Sequence, residues 1–434
     1  MKIYVVSLGC AKNQVDTERM LGSLLGEGCE ICAAPEEADL LLVNTCAFIQ
    51  EARDEASAVI IELVSQKRAD QKLVVTGCFV NYYGEKILKG RQMEVDAWLP
   101  VADEKLVAAT VRKLFKKPFA DIPYGPRIRI TPPHYGFLRI ADGCDHKCAF
   151  CSIPRLRGPM SEEPIDELVR EAEEMAAEGV VELNVIAQDT SAYKKLPELL
   201  RRLCAIDDLY WIRLQYLYPA TMSDELIETI AGEDKICKYI DLPLQHVNED
   251  VLKAMRRPTH AFTEKLLEKI MSKIPDVTLR TTFITGFPGE TEEDFVKTLE
   301  ICSRAAFDAA FTFQYSIRPG TKAAEFPDQI PADVVTERFG RLTELTNSLT
   351  EQSCKRLVGR KEEILIEGIS KAGGGVYSGR TISNHLVNFT IPDEIKAQPG
   401  FCEDALEGRL CNVDIQYARP YSVDGVMERF TDGK

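Results

Sequence analysis

Gly143-Cys144-Asp145-His146-Lys147-Cys148-Ala149-Phe150-Cys151 carries the strongest chemical signal in the chain. Its CxxxCxxC spacing sets three thiolates on one tight loop. Cysteine thiolates are the usual holders of iron–sulfur clusters, and three of them on a four-iron cubane leave one iron without a protein ligand. Such an iron can chelate the amino and carboxylate groups of S-adenosylmethionine (SAM), whose sulfonium carbon–sulfur bond an electron from the cluster can break. A structural zinc site would take four protein ligands, often as CxxC pairs. His146 is the available fourth, but it lies between two of the cysteines, where chain geometry is awkward.

A second set of cysteines is spread along the first eighty residues. Val5-Val6-Ser7-Leu8-Gly9-Cys10, Leu42-Val43-Asn44-Thr45-Cys46 and Val74-Val75-Thr76-Gly77-Cys78 each place a cysteine just past an apolar strand. In an open parallel sheet those ends share one edge, where ligands bind, so the three thiolates can converge. Buried cysteine is also a small hydrophobe. That plainer account suits Cys204, Cys237 and Cys302, inside apparent helices and strands, better than it suits a triple recurrence. Cys29 and Cys32 have zinc or redox spacing, but Glu30-Ile31 between them reads as strand, and a structural role is expected.

The elements that must position these groups follow from hydrophobic periodicity. Residues 1–118 read as α/β, with strands at Ile3–Leu8, Leu40–Val43 and Leu73–Val75 and a helix over Asp54–Val64. Strands alternating with helices predict parallel pairing. A proline-rich stretch, residues 119–133, suits a linker. Residues 134–331 alternate more regularly. Strands are expected at Phe137–Ala141, Val181–Ala187, Trp211–Leu217, Tyr239–Leu242, Leu279–Thr285 and Phe311–Tyr315, with a clear amphipathic helix from Glu162 to Glu178 stopped by Gly179. Six β/α units suit a partial (β/α)6 barrel. A helical connection over 332–357 leads to residues 358–434, where five short strands with turn signals predict a small antiparallel β-barrel.

In a barrel the functional loops sit at the carboxyl ends of the strands. Gln188-Asp189-Thr190 follows the second strand, Gln245-His246 the fourth, and Gly286-Phe287-Pro288-Gly289-Glu290 the fifth. Glycine lets backbone amides approach a ligand closely, so Gln188, Asp189, Gln245, Gly286, Pro288, Gly289 and Glu290 are candidate SAM contacts. An ordinary turn with a helix cap is the plainer account, since Glu290 and Thr291 also suit a helix start.

Composition bounds the rest. A chain with 45% hydrophobic and 28% charged residues is an ordinary globular one, no apolar stretch is long enough for a membrane span, and the first residues lack the pattern of a signal peptide. A cytoplasmic location is expected. In that reducing compartment the 14 cysteines call for a metal or redox account rather than disulfides. The net charge of −15 repels phosphate backbones and favours a basic partner.

Cys144, Cys148, Phe150 and Cys151, as CxxxCxFC ahead of six β/α units, resemble the cluster loop of the radical SAM superfamily. That resemblance implies a 5′-deoxyadenosyl radical that abstracts hydrogen from an unreactive carbon. Ser7-Leu8-Gly9-Cys10-Ala11-Lys12-Asn13, Asn44-Thr45-Cys46 and Thr76-Gly77-Cys78 extend it to the radical SAM methylthiotransferase family over nearly the whole chain. The family resemblance implies two [4Fe-4S] clusters, the second on Cys10, Cys46 and Cys78, and a terminal barrel of the TRAM type. It also implies two SAM molecules per reaction, one methylating a sulfur and one yielding the radical, and an external electron donor such as flavodoxin or ferredoxin.

Two branches of that family compete for the acceptor. Ser7–Asp16, Asn44–Ile49, Ile186–Thr190, Trp211–Arg213, Tyr216–Pro219 and Asp241–His246 resemble the branch that modifies an aspartate of a basic small-subunit ribosomal protein. Phe311–Thr321 and Gly379–Phe389 look more like the branch that modifies a tRNA adenosine. Charge favours the protein substrate: residues 356–434 hold 10 Lys/Arg against 12 Asp/Glu, a net of −2, where an RNA-gripping domain is expected to be basic. A non-catalytic iron–sulfur electron-transfer or scaffold protein is the alternative of another class; the Gly286–Glu290 loop and the full β/α series weigh against it.

Overall fold

The three apolar runs that end near cysteines become the central strands of one parallel sheet. The computed structural model describes residues 1–26, 28–84, 94–116, 126–304, 307–371 and 373–431. The chain forms two compact units. The first comprises residues 1–131, 141–147 and 151–162, the second residues 132–140, 148–150 and 163–434.

In the first unit, β1 (Lys2–Ser7), β2 (Glu30–Ile31), β3 (Leu40–Thr45), β4 (Lys72–Gly77) and β5 (Ala97–Leu99) pair in the order β2-β1-β3-β4-β5, all parallel. Every residue of β3 is buried, which is why it reads as a continuous apolar run and not an alternating one. Helices α1 (Ala11–Gly26), α2 (Gln50–Gln66), α3 (Cys78–Tyr83) and α4 (Val107–Phe115) accompany it. Two apolar cores result, one around Val43, Ile60, Val75 and Phe79, the other around Ile3, Met20, Leu42 and Val111. Three apolar strands were expected here, and Glu30-Ile31, read as strand from its sequence, is β2. The unanticipated one, β5, has three residues, too short to show a period.

The linker expected at 119–133 falls outside the described residues for 119–125. From residue 127 it is strapped onto α1: Arg127 Nε donates to buried Glu18 at 2.7 Å and Ile130 N donates to the same carboxylate at 2.9 Å.

Phe137–Ala141 divides into β6 (Tyr135–Arg139) and β7 (Ala141–Asp142). In the first unit β7 pairs antiparallel with β8 (Ser161–Glu162) after the short helix α5 (Ile153–Arg157). In the second unit the β/α series gives two parallel three-stranded sheets. Their orders are β10-β9-β6 and β11-β12-β13, from β9 (Glu182–Ile186), β10 (Trp211–Leu214), β11 (Tyr239–Asp241), β12 (Thr278–Thr285) and β13 (Ala309–Gln314). An Ile212–Ile236 bridge and the Leu217 N–Asp241 O hydrogen bond of 3.0 Å link them, completing a six-stranded partial barrel. The helix expected from Glu162 begins at Ile165, after Pro164. Strand β10 stops at Leu214 because Tyr216 turns to φ +61° and gives its N–H to Asp241.

The last five strands, β14 (Lys361–Ile369), β15 (Val376–Thr381), β16 (Leu386–Thr390), β17 (Leu410–Ala418) and β18 (Ser422–Phe430), close a barrel of the TRAM type. One of its pairs departs from the antiparallel pattern, since β16 and β18 run parallel where the barrel closes. Leu365 and Leu410 pack with Val181, Trp211 and Tyr239 at the amino ends of β9, β10 and β11, and buried Arg213 reaches Ile382 O at 2.8 Å. That end of the partial barrel is therefore covered by the small barrel. Among the described residues no helix is long and apolar enough to cross a membrane.

Candidate active site

The strand order of the first unit is that of a doubly wound sheet whose switch point lies between β1 and β3, where such sheets bind ligands outside the carboxyl ends of the strands. Register puts Ser7, Asn44 and Thr76 in one row across β1, β3 and β4. Cys46 and Cys78 each come two residues beyond it, and Cys10 three.

Side-chain geometry brings the three together. Asn13 Oδ1 lies 3.8 Å from Cys10 Sγ and 3.9 Å from Cys78 Sγ. Gly9 has φ +96°, and a Cβ there would meet Cys46 Cβ at 2.6 Å and its Sγ at 3.1 Å. Asn13 is itself fixed, since its Nδ2 donates to Leu8 O at 3.2 Å and Thr45 O at 2.8 Å. Among the described residues no three His, Cys, Asp or Glu side chains gather closely enough for a single metal ion. Three cysteine sulfurs brought to one sheet edge fit a four-iron cluster, which bonds each thiolate to a different iron.

Cys46 and Cys78 are buried, while Cys10 is exposed. Burial raises the Cys46 thiol and pushes Cys78 up to about 12, against the opposing pull of the nearby Arg157 guanidinium. The Arg157 side chain is 2% exposed. It donates to Asn13 Oδ1 and Asp16 Oδ2, each at 2.7 Å, and to Asp142 Oδ2 at 3.0 Å. Sequence reasoning missed Asn13, Asp16 and Arg157 as members of this site; the one available signal was the position of Asn13, three residues after Cys10.

The cysteine loop at 144–151 is braced at each cysteine, and all three are half-buried. Cys144 N donates to Gly158 O at 3.1 Å. A Cβ on Gly143, at φ +75°, would lie 2.1 Å from Pro159 O, so the turn into the loop requires glycine. Cys151 Sγ accepts from Ile153 N at 3.5 Å. In the second unit Arg257 Nη1 approaches Cys148 Sγ at 3.9 Å, while the loop backbone bonds to Met255 O and Ala323 N through Ala149, both at 2.9 Å. Phe150 is buried. Donors aimed at thiolate sulfurs are a usual means of tuning a cluster.

The candidate SAM residues divide. Gln188 and Gln245 are partly exposed at the carboxyl ends of β9 and β11, and Gln245 takes φ +75°, a conformation that costs of order 1–3 kcal/mol and gathers at functional sites. Asp189 is buried and accepts from Ala192 N, Ser191 Oγ and Thr221 Oγ1. Glu290 is buried, accepting from Gly286 N at 2.9 Å and Arg338 Nη1 at 2.8 Å; its carboxylate holds the 286–290 loop in shape. Pro288 is buried and Gly289 exposed. Burial pushes the thiols of Cys237 and Cys302 up to about 12 and that of Cys204 up to about 11. They remain protonated at neutral pH and serve as small apolar groups.

A partial barrel headed by a CxxxCxFC loop defines a radical SAM enzyme. Residues 138–302 match the radical SAM superfamily, and residues 2–100 match a family described as uncharacterized protein family UPF0004. Among solved structures, the radical SAM methyltransferase TsrM from Kitasatospora setae shares the fold with a TM-score of 0.58 at 14% identity, over 74% of this chain and 76% of that one. The cobalamin-dependent radical enzyme OxsB gives a TM-score of 0.52 at 10% identity, over 80% and 61%. Curated relatives are far nearer in sequence. The ribosomal protein uS12 methylthiotransferase RimO of Lachnoclostridium phytofermentans is 40% identical over 99% of this chain and all of its own length. RimO of Anaeromyxobacter sp. strain K is 40% identical over 98% of this chain and 92% of its own. The chain belongs to the RimO family of radical SAM methylthiotransferases. It is a transferase that uses [4Fe-4S] clusters and SAM.

Proposed function

We propose that this chain adds a methylthio group to the β-carbon of an aspartate in ribosomal protein uS12. It does so with two SAM molecules and two [4Fe-4S] clusters, one on Cys144, Cys148 and Cys151, the other on Cys10, Cys46 and Cys78. The observation that carries this reading is identity of 40% along essentially the whole chain to proteins named for that activity. The clusters and SAM supply radical and sulfur-transfer chemistry when bound, for a C–H bond that acid–base catalysis cannot ionise.

The chain's own residues then have positioning tasks. The Asn13 network gathers Cys10 and Cys78 beside Cys46 at the switch point. Ile153 N and Arg257 approach the sulfurs of Cys151 and Cys148. Gln188, Gln245 and the backbone of Gly286–Gly289 are the groups offered to SAM at the strand ends, with Asp189 and Glu290 shaping their loops. The net charge of −15 steers a basic ribosomal protein toward the enzyme. Reduced flavodoxin or ferredoxin is the electron donor we expect, and the cytoplasm the site of action.

The test compares peptide and tRNA digests from knockout and complemented cells by mass spectrometry. Complementation should restore a methylthio-aspartate in uS12. A restored methylthio-adenosine with the aspartate unchanged would replace this reading with the tRNA one.

A further inference from the structure

Arg157 lies six residues after Cys151, in the short segment following the radical-SAM loop, yet its buried side chain bonds residues of helix α1 beside the N-terminal sheet. Within the first unit it joins three places. One amino group bonds Asn13 Oδ1 and Asp16 Oδ2, each at 2.7 Å; the other bonds Asp142, two residues before Cys144. The Asn13 amide cannot flip, because its Nδ2 is held by the carbonyls of Leu8 and Thr45. Its oxygen therefore faces the sulfurs of Cys10 and Cys78.

That arrangement is costly without a cation. With a cluster bound the sulfurs are thiolates, and an amide oxygen pointed at them, with the Asp16 carboxylate 3% exposed beside it, concentrates negative charge where little water can screen it. Arg157 offsets that charge, and its fork fixes Asn13 and Asp16 with one guanidinium. Cluster potentials respond to net charge, hydrogen bonding and exposure.

We propose that Arg157 is a positioning residue for the cluster on Cys10, Cys46 and Cys78: it locks Asn13 between two of the ligands and supplies the buried positive charge against which that cluster's potential is set. This rests on the trio holding a cluster. Reduction adds an electron, so a nearby buried cation favours the reduced form and raises the potential.

The test uses full-length protein carrying Cys144, Cys148 and Cys151→Ala, reconstituted anaerobically so that only the N-terminal cluster remains. Iron and sulfide content, the midpoint from an EPR-monitored redox titration and the g-values are compared for Arg157, Arg157→Lys and Arg157→Gln. The expected result is one cluster's iron in each, a midpoint shifted negative in Arg157→Gln, and Arg157→Lys closer to the parent. Coincident midpoints and g-values overturn the proposal, as does a Lys variant displaced as far as the Gln variant. If both variants shed iron, the cluster-free proteins decide: unchanged melting supports a role at the cluster, and equally lowered melting assigns Arg157 to the fold and overturns it. A parent without iron would instead sink the cluster assignment on which the proposal rests.

Discussion

Asn13 Oδ1 stands 3.9 Å from Cys78 Sγ, although 65 residues separate them. The same atom stands 3.8 Å from Cys10 Sγ, so one amide oxygen sits by two of the three N-terminal cysteines. Replacing Cys10, Cys46 and Cys78 together with alanine should remove about half of the reconstituted iron, one cubane of two, and leave the other cluster's spectrum intact. Undiminished iron would refute the assignment. Asn13→Ala should be milder on iron but costly to the fold, because it strips the partner from the buried Thr45 carbonyl and the part-buried Leu8 carbonyl, about 1–3 kcal/mol by chemical denaturation.

Gly9→Ala tests the cradle without touching a ligand. Its Cβ would overlap Cys46 Cβ at 2.6 Å, with the backbone at φ +96°. Strain of about 1–3 kcal/mol is expected, together with loss of the N-terminal cluster's iron while the Cys144 loop keeps its own. Gly28→Ala is the control, since it also has positive φ (+77°) but nothing within 4 Å of the added carbon. Equal iron contents in the two variants would show that the close approach to Cys46 does not matter.

The cysteine trio was legible in sequence because each member follows an apolar run that only a buried parallel strand explains, as in fully buried Leu40–Thr45. Arg157 was not legible. It meets Asn13 across 144 residues, a contact set by tertiary placement that leaves no local period. The partial barrel could be read from alternation, whereas the parallel β16–β18 pair could not, since closure of a barrel and not local pattern decides which edges meet. Glu290 shows the opposite limit: its place in a glycine loop drew it toward SAM, but only the fold reveals the buried Arg338 that accompanies it.

Glu290 and Arg338 form a buried ion pair, Oε1 to Nη1 at 2.8 Å. Among the described residues, Arg338→Met leaves the carboxylate with Gly286 N and the His246 ring, 3.5 Å away. Breaking such a pair costs about 3–5 kcal/mol. Glu290→Gln should cost less, because Arg338 also reaches Glu292 at 3.2 Å. Urea denaturation would measure both, and calorimetric titration should show weaker SAM binding as the loop relaxes. Full stability in Arg338→Met would mean that the pair contributes nothing net.

His385 links the helix Ala332–Lys355 to the small barrel, its Nε2 2.9 Å from Ser353 Oγ and its Nδ1 3.0 Å from Ser383 Oγ. Burial lowers its pKa from the ordinary 6.5, with nearby Asp308 opposing that and Arg356 adding to it. A histidine depressed in the fold binds its proton more readily when unfolded. Stability is therefore fully present above about pH 6.5 and is lost as pH falls through the folded value. Most carboxylates titrate lower, near pH 4, so between about pH 5 and 6.5 the chain's five histidines dominate, and the comparison with His385→Gln singles out this ring. The melting temperature should fall across that window in the parent and fall less steeply in His385→Gln. Parallel curves for the two proteins would remove His385 as the source of the acid sensitivity.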